Sequence, residues 1–300
     1  MAIIQIPVDD QQKEKITFYG DMLHYSLYPP GPKGAFYGDI PWHWHEEFEF
    51  GYIFGGKMLY KTPKCQYTIS QGDGIFVNSG TLHYLHPLEP KESVVLCSQF
   101  IDQSFLAGTP GSRIDTKYIV PVLKNPSLDA IPILHGKKEN TRILDLLLEA
   151  IHLGTARQPF FEMRIRNLFS QLWETIYALS AEANIEDAPQ SPLENDRIKE
   201  MLQFIQSHYS EHLTIRQIAK SIPISERECF RLFKTNLGMS PMEYLIAIRL
   251  QAARDLLIHT KKGIMEIAME TGFGSSSYFG KIFRQEYGMT PRQYRNINQT

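Results

Sequence analysis

The chain has 300 residues, enough for two domains that each bury a core, and its 31 Lys and Arg nearly balance 33 Asp and Glu for a formal charge of −2. Three cysteines, Cys65, Cys97 and Cys229, fall in no CxxC pair, which excludes a disulfide framework and fits a reducing cytoplasm. No run approaches the ~20 apolar residues of a bilayer span, and MAIIQIPVDDQQ is too short an apolar run for a signal peptide, so a cytoplasmic protein without membrane contact is expected.

Residues 1–35 read as an irregular arm ending at Pro29-Pro30-Gly31-Pro32, and no function follows from them. From Phe36 to about Phe100 the sequence turns to short aromatic and β-branched runs, such as Phe48-Glu49-Phe50-Gly51-Tyr52-Ile53-Phe54 and Gly74-Ile75-Phe76-Val77, separated by Gly, Pro and Asn. That pattern predicts an all-β sandwich or barrel. Strand alternation puts His43 and His45 on one face, and Glu49 shares their parity; His83 follows a second stretch, Gly72 to Thr81. Imidazole and carboxylate at these spacings can hold a divalent metal, with neutral His and ionised Glu as donors. They can equally hydrogen-bond a small polar ligand, or simply satisfy one another in a core, and spacing leaves the three readings open.

The stretch His43-Trp44-His45-Glu46-Glu47-Phe48-Glu49, with Gly56 and then Gly72-Asp73-Gly74 to His83, resembles the two cupin motifs. In cupins two His, a Glu and a later His converge inside a small barrel. Three positions depart from that pattern: Asn78 stands for the usual Pro, Pro87 for the closing Asn, and Gly38 is one residue closer to His43. Trp42, Trp44, Phe48, Tyr52, Tyr60 and Tyr84 surround the motif as core filling by default, with Trp42 and Trp44 as candidate walls of a ligand pocket.

From about Asn140 the period becomes helical, with Ile143, Leu144, Leu147, Ala150 and Ile151 on one helix and Phe161, Ile165, Leu168, Leu172, Ile176 and Leu179 on a second, separated by Gly154 and Pro159. A further row, Phe169, Trp173 and Tyr177, makes the second helix too greasy for one partner, which leaves two arrangements open: one row on the barrel and the other on a second subunit, or both rows buried within one chain. Residues 184–194, polar and Pro-containing, read as a linker.

The last third is the net-positive part of the chain: 15 Lys and Arg against 10 Asp and Glu from Asn195 onward, a net of +5 against −7 before it. Ile264, Ile267 and Ala268 run into Thr271-Gly272-Phe273-Gly274, and a second amphipathic helix follows from Ser275, a helix-turn-helix pattern. In that second helix Phe279, Ile282 and Phe283 share a packing stripe, leaving Ser276, Ser277, Gly280, Lys281 and Arg284 outside. About 50 residues upstream the wording recurs: Phe233-Lys234-Thr235-Asn236-Leu237-Gly238-Met239-Ser240-Pro241 lies over Phe283 to Pro291, Tyr244 over Tyr294, and Ile218-Ala219 over Ile267-Ala268, with a second turn one residue longer. The register puts Cys229, Leu232 and Phe233 in the core and Arg227, Phe230, Arg231 and Lys234 on the outer face. Thr214 with Gln217, Ser225 with Glu228, Ser240 with Glu243 and Thr290 with Gln293 predict capped helix starts, and Ser240 to Thr260 predicts a long connecting helix.

With these residues the segment from 195 to 300 resembles the twin helix-turn-helix DNA-binding domain of the AraC family of bacterial transcription regulators. Pro223 stands where that family usually has Gly, so the first turn must differ locally. The resemblance implies an α+β chain: a cupin-like effector domain over 1–135, a helical dimerisation pair over 136–183, a linker over 184–194 and the DNA-binding domain over 195–300. It implies double-stranded DNA, a small-molecule effector, RNA polymerase and a second copy of the chain as partners. Arg227, Phe230, Arg231, Lys234, Ser276, Ser277, Lys281 and Arg284 are the expected DNA contacts, and His43, His45, Glu49, His83, Trp42 and Trp44 the expected effector contacts. The first four of that second set are also the candidate metal ligands, although no cofactor is required. The favoured effector is a sugar. The rival reading is a metal-dependent cupin enzyme, an isomerase or dioxygenase, with an autoregulatory DNA-binding tail.

Overall fold

A computed structural model describes residues 13–19, 23–29, 35–36, 39–89, 93–182 and 192–298. The chain divides between Pro192 and Leu193 into two compact units. Most of the expected linker, Gly38 and much of the arm lie outside the described residues.

In the first unit two antiparallel sheets face each other. One runs β1 (Tyr25–Tyr28), β9 (Val94–Ile101), β4 (Phe48–Gly55), β7 (Gly74–Val77) and β10 (Ala130–Ile133), with a short β2 (Ala35–Phe36) also on β9. The other runs β3 (Ile40–His43), β8 (His83–Pro87), β5 (Lys57–Lys61) and β6 (Gln66–Ser70). Alternation decides what each face does. Phe48, Phe50 and Phe76 belong to a core shared with the helices, while Ile53, Ile75 and Val77 pack in a second core with Met58, Tyr60 and Leu85 of the other sheet. Glu49, between Phe48 and Phe50, therefore points between the sheets.

The first 35 residues are not all irregular. Tyr25–Tyr28 pairs with β9, and Tyr25 is fully buried; its alternating aromatic and aliphatic residues carried that signal. After β9 come α1 (Gln103–Ala107), a π-helical turn (Asp115–Ile119) and α2 (Val120–Leu123), too short to show a period in the sequence. Then follow α3 (Thr141–Ala156) and α4 (Phe161–Glu182). Gly154 does not end α3. It lies inside the helix, where a Cβ would come 2.3 Å from the Tyr25 hydroxyl, so the position is fixed by close packing. Of the two arrangements open for α4, the one with both rows buried within the chain is formed: Phe169 stacks edge-on to Phe50 and Trp173 to Phe48, beside the first row. The extra width serves the sheet and the short helices, with Trp173 donating its indole N–H to the Tyr118 carbonyl.

The second unit is all helix: α5 (Pro192–Ser207), α6 (Ile215–Ser221), α7 (Glu226–Leu237), α8 (Pro241–His259), α9 (Ile264–Glu270), α10 (Ser276–Tyr287) and α11 (Pro291–Asn298). Helix α5 takes in the last three residues of the expected linker, with Pro at its first turn, where no intrahelical N–H is needed. Thr214 and Ser240 form full capping boxes with Gln217 and Glu243, and Thr290 exchanges both bonds with Gln293. At α7 only half the box forms: Ser225 accepts from the Glu228 N–H, but the Glu228 carboxylate turns to Arg231. The twelve-residue helices α7 and α10 keep the repeat register, and Gly238 and Gly288 close both in the left-handed region. The turns differ as Pro223 required. Gly272 holds φ 78°, whereas Ile222 is extended and accepts from the Ile224 N–H at 2.8 Å. Among the described residues no helix is long and apolar enough to cross a membrane.

Candidate functional site

The barrel interior collects five ionisable side chains, all at least nine-tenths buried: His43, His45, Glu49, His83 and, from the N-terminal segment, Glu14. His83 pairs across the sheet with His43, Glu49 comes from the facing sheet, and His45 leaves the end of β3. His45, Glu49 and His83 bring one ligand atom each within 4.8 Å of one another. Nε2 of His45 lies 3.6 Å and Nε2 of His83 3.7 Å from Glu49 Oε2, outside hydrogen-bond range. His43 touches the group only edgewise, its ring centroid 4.0 Å from that of His83 and its Nε2 3.8 Å from Glu14 Oε2.

Backbone carbonyls orient every ring. Nδ1 of His43, His45 and His83 lies 2.8, 2.9 and 2.8 Å from the carbonyl oxygens of Pro41, Glu47 and Thr81. A carbonyl only accepts, so each Nδ1 carries the proton, and in the neutral ring the Nε2 lone pair faces inward. Glu49 accepts from Ser98 Oγ at 2.6 Å on Oε1 and from Tyr60 OH at 3.2 Å on Oε2, the oxygen that faces the histidines. Burial pushes His43 down to about 4 and His83 well below its ordinary value, keeping both neutral. Burial also opposes charge on His45 and Glu49, but their mutual attraction outweighs it, raising His45 and lowering Glu49. Burial lifts Glu14 to about 7.

The cupin likeness implies a divalent metal, and the donor set fits one. Two imidazole nitrogens and a carboxylate converge, each group is oriented by hydrogen bonds to backbone carbonyls or to Ser98 and Tyr60, and His45 Nε2 and Glu14 Oε1 are buried without a hydrogen-bond partner. The aromatic candidates do not join this group. Trp42, next to His43 on its strand, stacks with Tyr84 at 5.7 Å on the opposite face of the β3–β8 pair, and Trp44 lies partly exposed under the Lys13 ammonium. Glu14 escaped the sequence reading because it comes from a segment without periodicity. Its position depends on a parallel bridge of Lys13 to Trp44 and a bond from its own N–H to the Trp44 carbonyl.

In the second unit Arg227, Phe230, Arg231 and Lys234 are exposed on α7, with Phe230 at 47%, while Cys229, Leu232 and Phe233 are buried. On α10 Ser276, Ser277, Lys281 and Arg284 are exposed over buried Phe279 and Phe283. Tyr278, 44% exposed beside Ser277, is a further candidate that the packing stripe alone did not single out. A groove of about 550 Å³ is lined by Gly280, Lys281, Arg284, Gln285, Thr290 and Pro291. Arg231 is not free for a groove: its guanidinium is held at 2.7 Å by both Glu228 and Glu194.

A buried polar site in a β-barrel followed by two repeated helix-turn-helix units defines a DNA-binding transcription regulator with a ligand-binding domain. Residues 37–194 match the AraC-like ligand binding domain and residues 218–297 the Helix-turn-helix domain, and the chain belongs to the AraC family. It is 34% identical to the HTH-type transcriptional activator RhaS of Citrobacter koseri over 90% of this chain and 91% of that protein. It is 28% identical to the HTH-type transcriptional regulator YdeC of Bacillus subtilis over 87% and 88% of the two chains. Against the Melibiose operon regulatory protein of Escherichia coli K12 the identity is 23%, over 86% and 84%.

Proposed function

We propose that this regulator senses a small polyhydroxylated molecule, a sugar, in the barrel and changes its grip on DNA in response. The observation that carries the reading is a set of inward-facing imidazole and carboxylate groups, two of their atoms without partners, inside an otherwise apolar barrel. Buried polar atoms are costly when unpaired, and a hydroxyl-rich ligand both donates and accepts. The Melibiose operon regulatory protein among the relatives supports a sugar as the class. His45, Glu49 and His83, with His43 at their edge, are the effector contacts in this reading. Regulation of this kind requires unequal effector affinity in two states of the protein.

Arg227, Phe230 and Lys234 of α7 and Ser276, Ser277, Lys281 and Arg284 of α10 form the DNA-contacting face, with Arg231 joining once its carboxylates let go. We place a second copy of the chain on the outer surface of α3 and α4, where Phe160 and Met163 are 69% and 68% exposed. The protein works in the cytoplasm, with RNA polymerase as the partner through which bound DNA is read. Selection of genomic fragments by the full chain, with and without a panel of sugars, tests the reading. The expected result is a defined site whose occupancy changes with one sugar. Occupancy indifferent to every member of the panel sinks the sugar assignment.

A further inference from the structure

We infer that Glu14 supplies the second carboxylate of a divalent-cation site built on His45, Glu49 and His83, in the place that motif spacing gives to His43. The inference deepens the ligand-binding reading of the same barrel. Three observations lead to it. The convergent group holds three residues, one donor short of the usual four, and His43 and Glu14 both stand just outside it, so either could complete it. Glu14 is 3% exposed, and one of its oxygens has no hydrogen-bond partner although buried carboxylates ordinarily have one. The other oxygen faces His43 Nε2 at 3.8 Å, too far for a hydrogen bond. The Tyr28 hydroxyl also faces this carboxylate, while the Glu14 backbone is fixed by the Trp44 carbonyl and the neighbouring Lys13 ammonium is taken by Glu46 at 2.8 Å.

Charge points the same way. Two buried carboxylates, Glu14 and Glu49, balance one divalent cation, whereas three imidazoles and Glu49 alone leave it one charge in excess. Imidazole nitrogens and carboxylate oxygens together suit zinc, cobalt, nickel or ferrous iron better than magnesium or calcium, which prefer oxygen alone. The three backbone-anchored rings mean that the imidazoles need no reorientation to offer Nε2 to an ion.

The test uses the full chain, stripped with a chelator and titrated with cobalt(II), whose visible absorption reports on its ligands. One cobalt per chain is expected, with Glu49→Gln abolishing the spectrum and Glu14→Gln weakening binding by about 10- to 100-fold, as loss of a supporting group does at other sites. Glu14→Asp should recover part of the affinity. Circular dichroism establishes that each variant is folded. X-ray absorption of the zinc-loaded wild-type chain, which needs no variant, should count two imidazoles and two carboxylates. Three imidazoles, unchanged affinity in folded Glu14→Gln, or no stoichiometric uptake by the wild type each overturns the inference. Uptake is read without DNA or sugar, so its failure leaves the effector reading standing, and an absent sugar response leaves the metal result standing.

Discussion

Phe230 shows how one residue separates packing from recognition. Three positions away Phe233 is fully buried, so Phe233→Ala should cost about 3 to 5 kcal/mol of stability. Phe230→Ala, at an exposed position, should change stability by no more than about 0.5 kcal/mol. Its expected effect is on DNA: an apolar side chain in the major groove touches a thymine methyl, so base preference should fall at one position while salt-dependent, non-specific affinity persists. Thermal melts paired with binding to a singly substituted site series check both halves. In the barrel the residue-scale prediction is a pH profile. His43 has its folded value lowered to about 4 and His83 lower still, so between pH 4 and 6.5 the unfolded chain binds more protons and stability rises with pH. Glu14, raised to about 7, acts in the opposite sense, since between 4.5 and 7 the folded chain binds the extra proton. Melting temperatures of chelator-treated protein should therefore climb from pH 4.5 to 6.5, and climb more steeply in Glu14→Gln.

At the scale of elements, the two turns of the repeat reach similar ends by different backbones. A Cβ at Gly272 would lie 2.6 Å from the Tyr209 carbonyl oxygen, on a residue already at φ 78°. Gly272→Ala should destabilise the second unit by at least about 2 kcal/mol. Gly274 shares the positive φ, but its Cβ would meet open space, so Gly274→Ala should cost only about 1 to 2 kcal/mol, the conformational part alone. Calorimetry of the two variants separates these outcomes. Helix α5 bears on recognition through Glu194, which with Glu228 holds the Arg231 guanidinium. Surface pairs are weak, so Glu194→Gln, which leaves Arg231 held by Glu228 alone, should loosen Arg231 with little change in stability and tighten DNA binding a few-fold. Weaker binding instead would show that Glu194 presents Arg231 rather than withholding it.

For the whole molecule the charge asymmetry sets the physics of association. The basic unit should lose affinity steeply with salt, and Lys234→Ala should reduce the slope of log K against log salt by about 1 if it meets one phosphate. With α7 and α10 at the ends of a stiff 19-residue connector, both entering the major groove from one face, protection should fall at two points about 10 base pairs apart. Protection confined to one groove segment would leave α7, with its Pro-containing turn, outside the complex.

The repeat made most of the second unit legible, although α5 lies outside it and begins within the expected linker, and the Ser225 box forms only by half. Helix starts, register and the buried stripes follow from local rules of capping and 3.6-residue periodicity, and Thr214, Ser240 and Thr290 cap as their spacing demands. Strand alternation likewise gave Glu49 the parity of His43 and His45, and Glu49 does point between the sheets. Contacts between residues far apart in sequence were beyond such rules. Whether the second greasy row of α4 met another subunit or its own sheet depended on where Phe48 and Phe50 stood, and Gly154 owes its place to Tyr25, more than a hundred residues away. The barrel site divides in the same way. His43, His45, Glu49 and His83 were visible as a spaced set, but which of them converge was decided by the facing of two sheets. Glu14 was decided by tertiary structure alone, since one backbone bridge to Trp44 carries an aperiodic segment into the barrel, and no periodicity encodes a bridge of one residue pair.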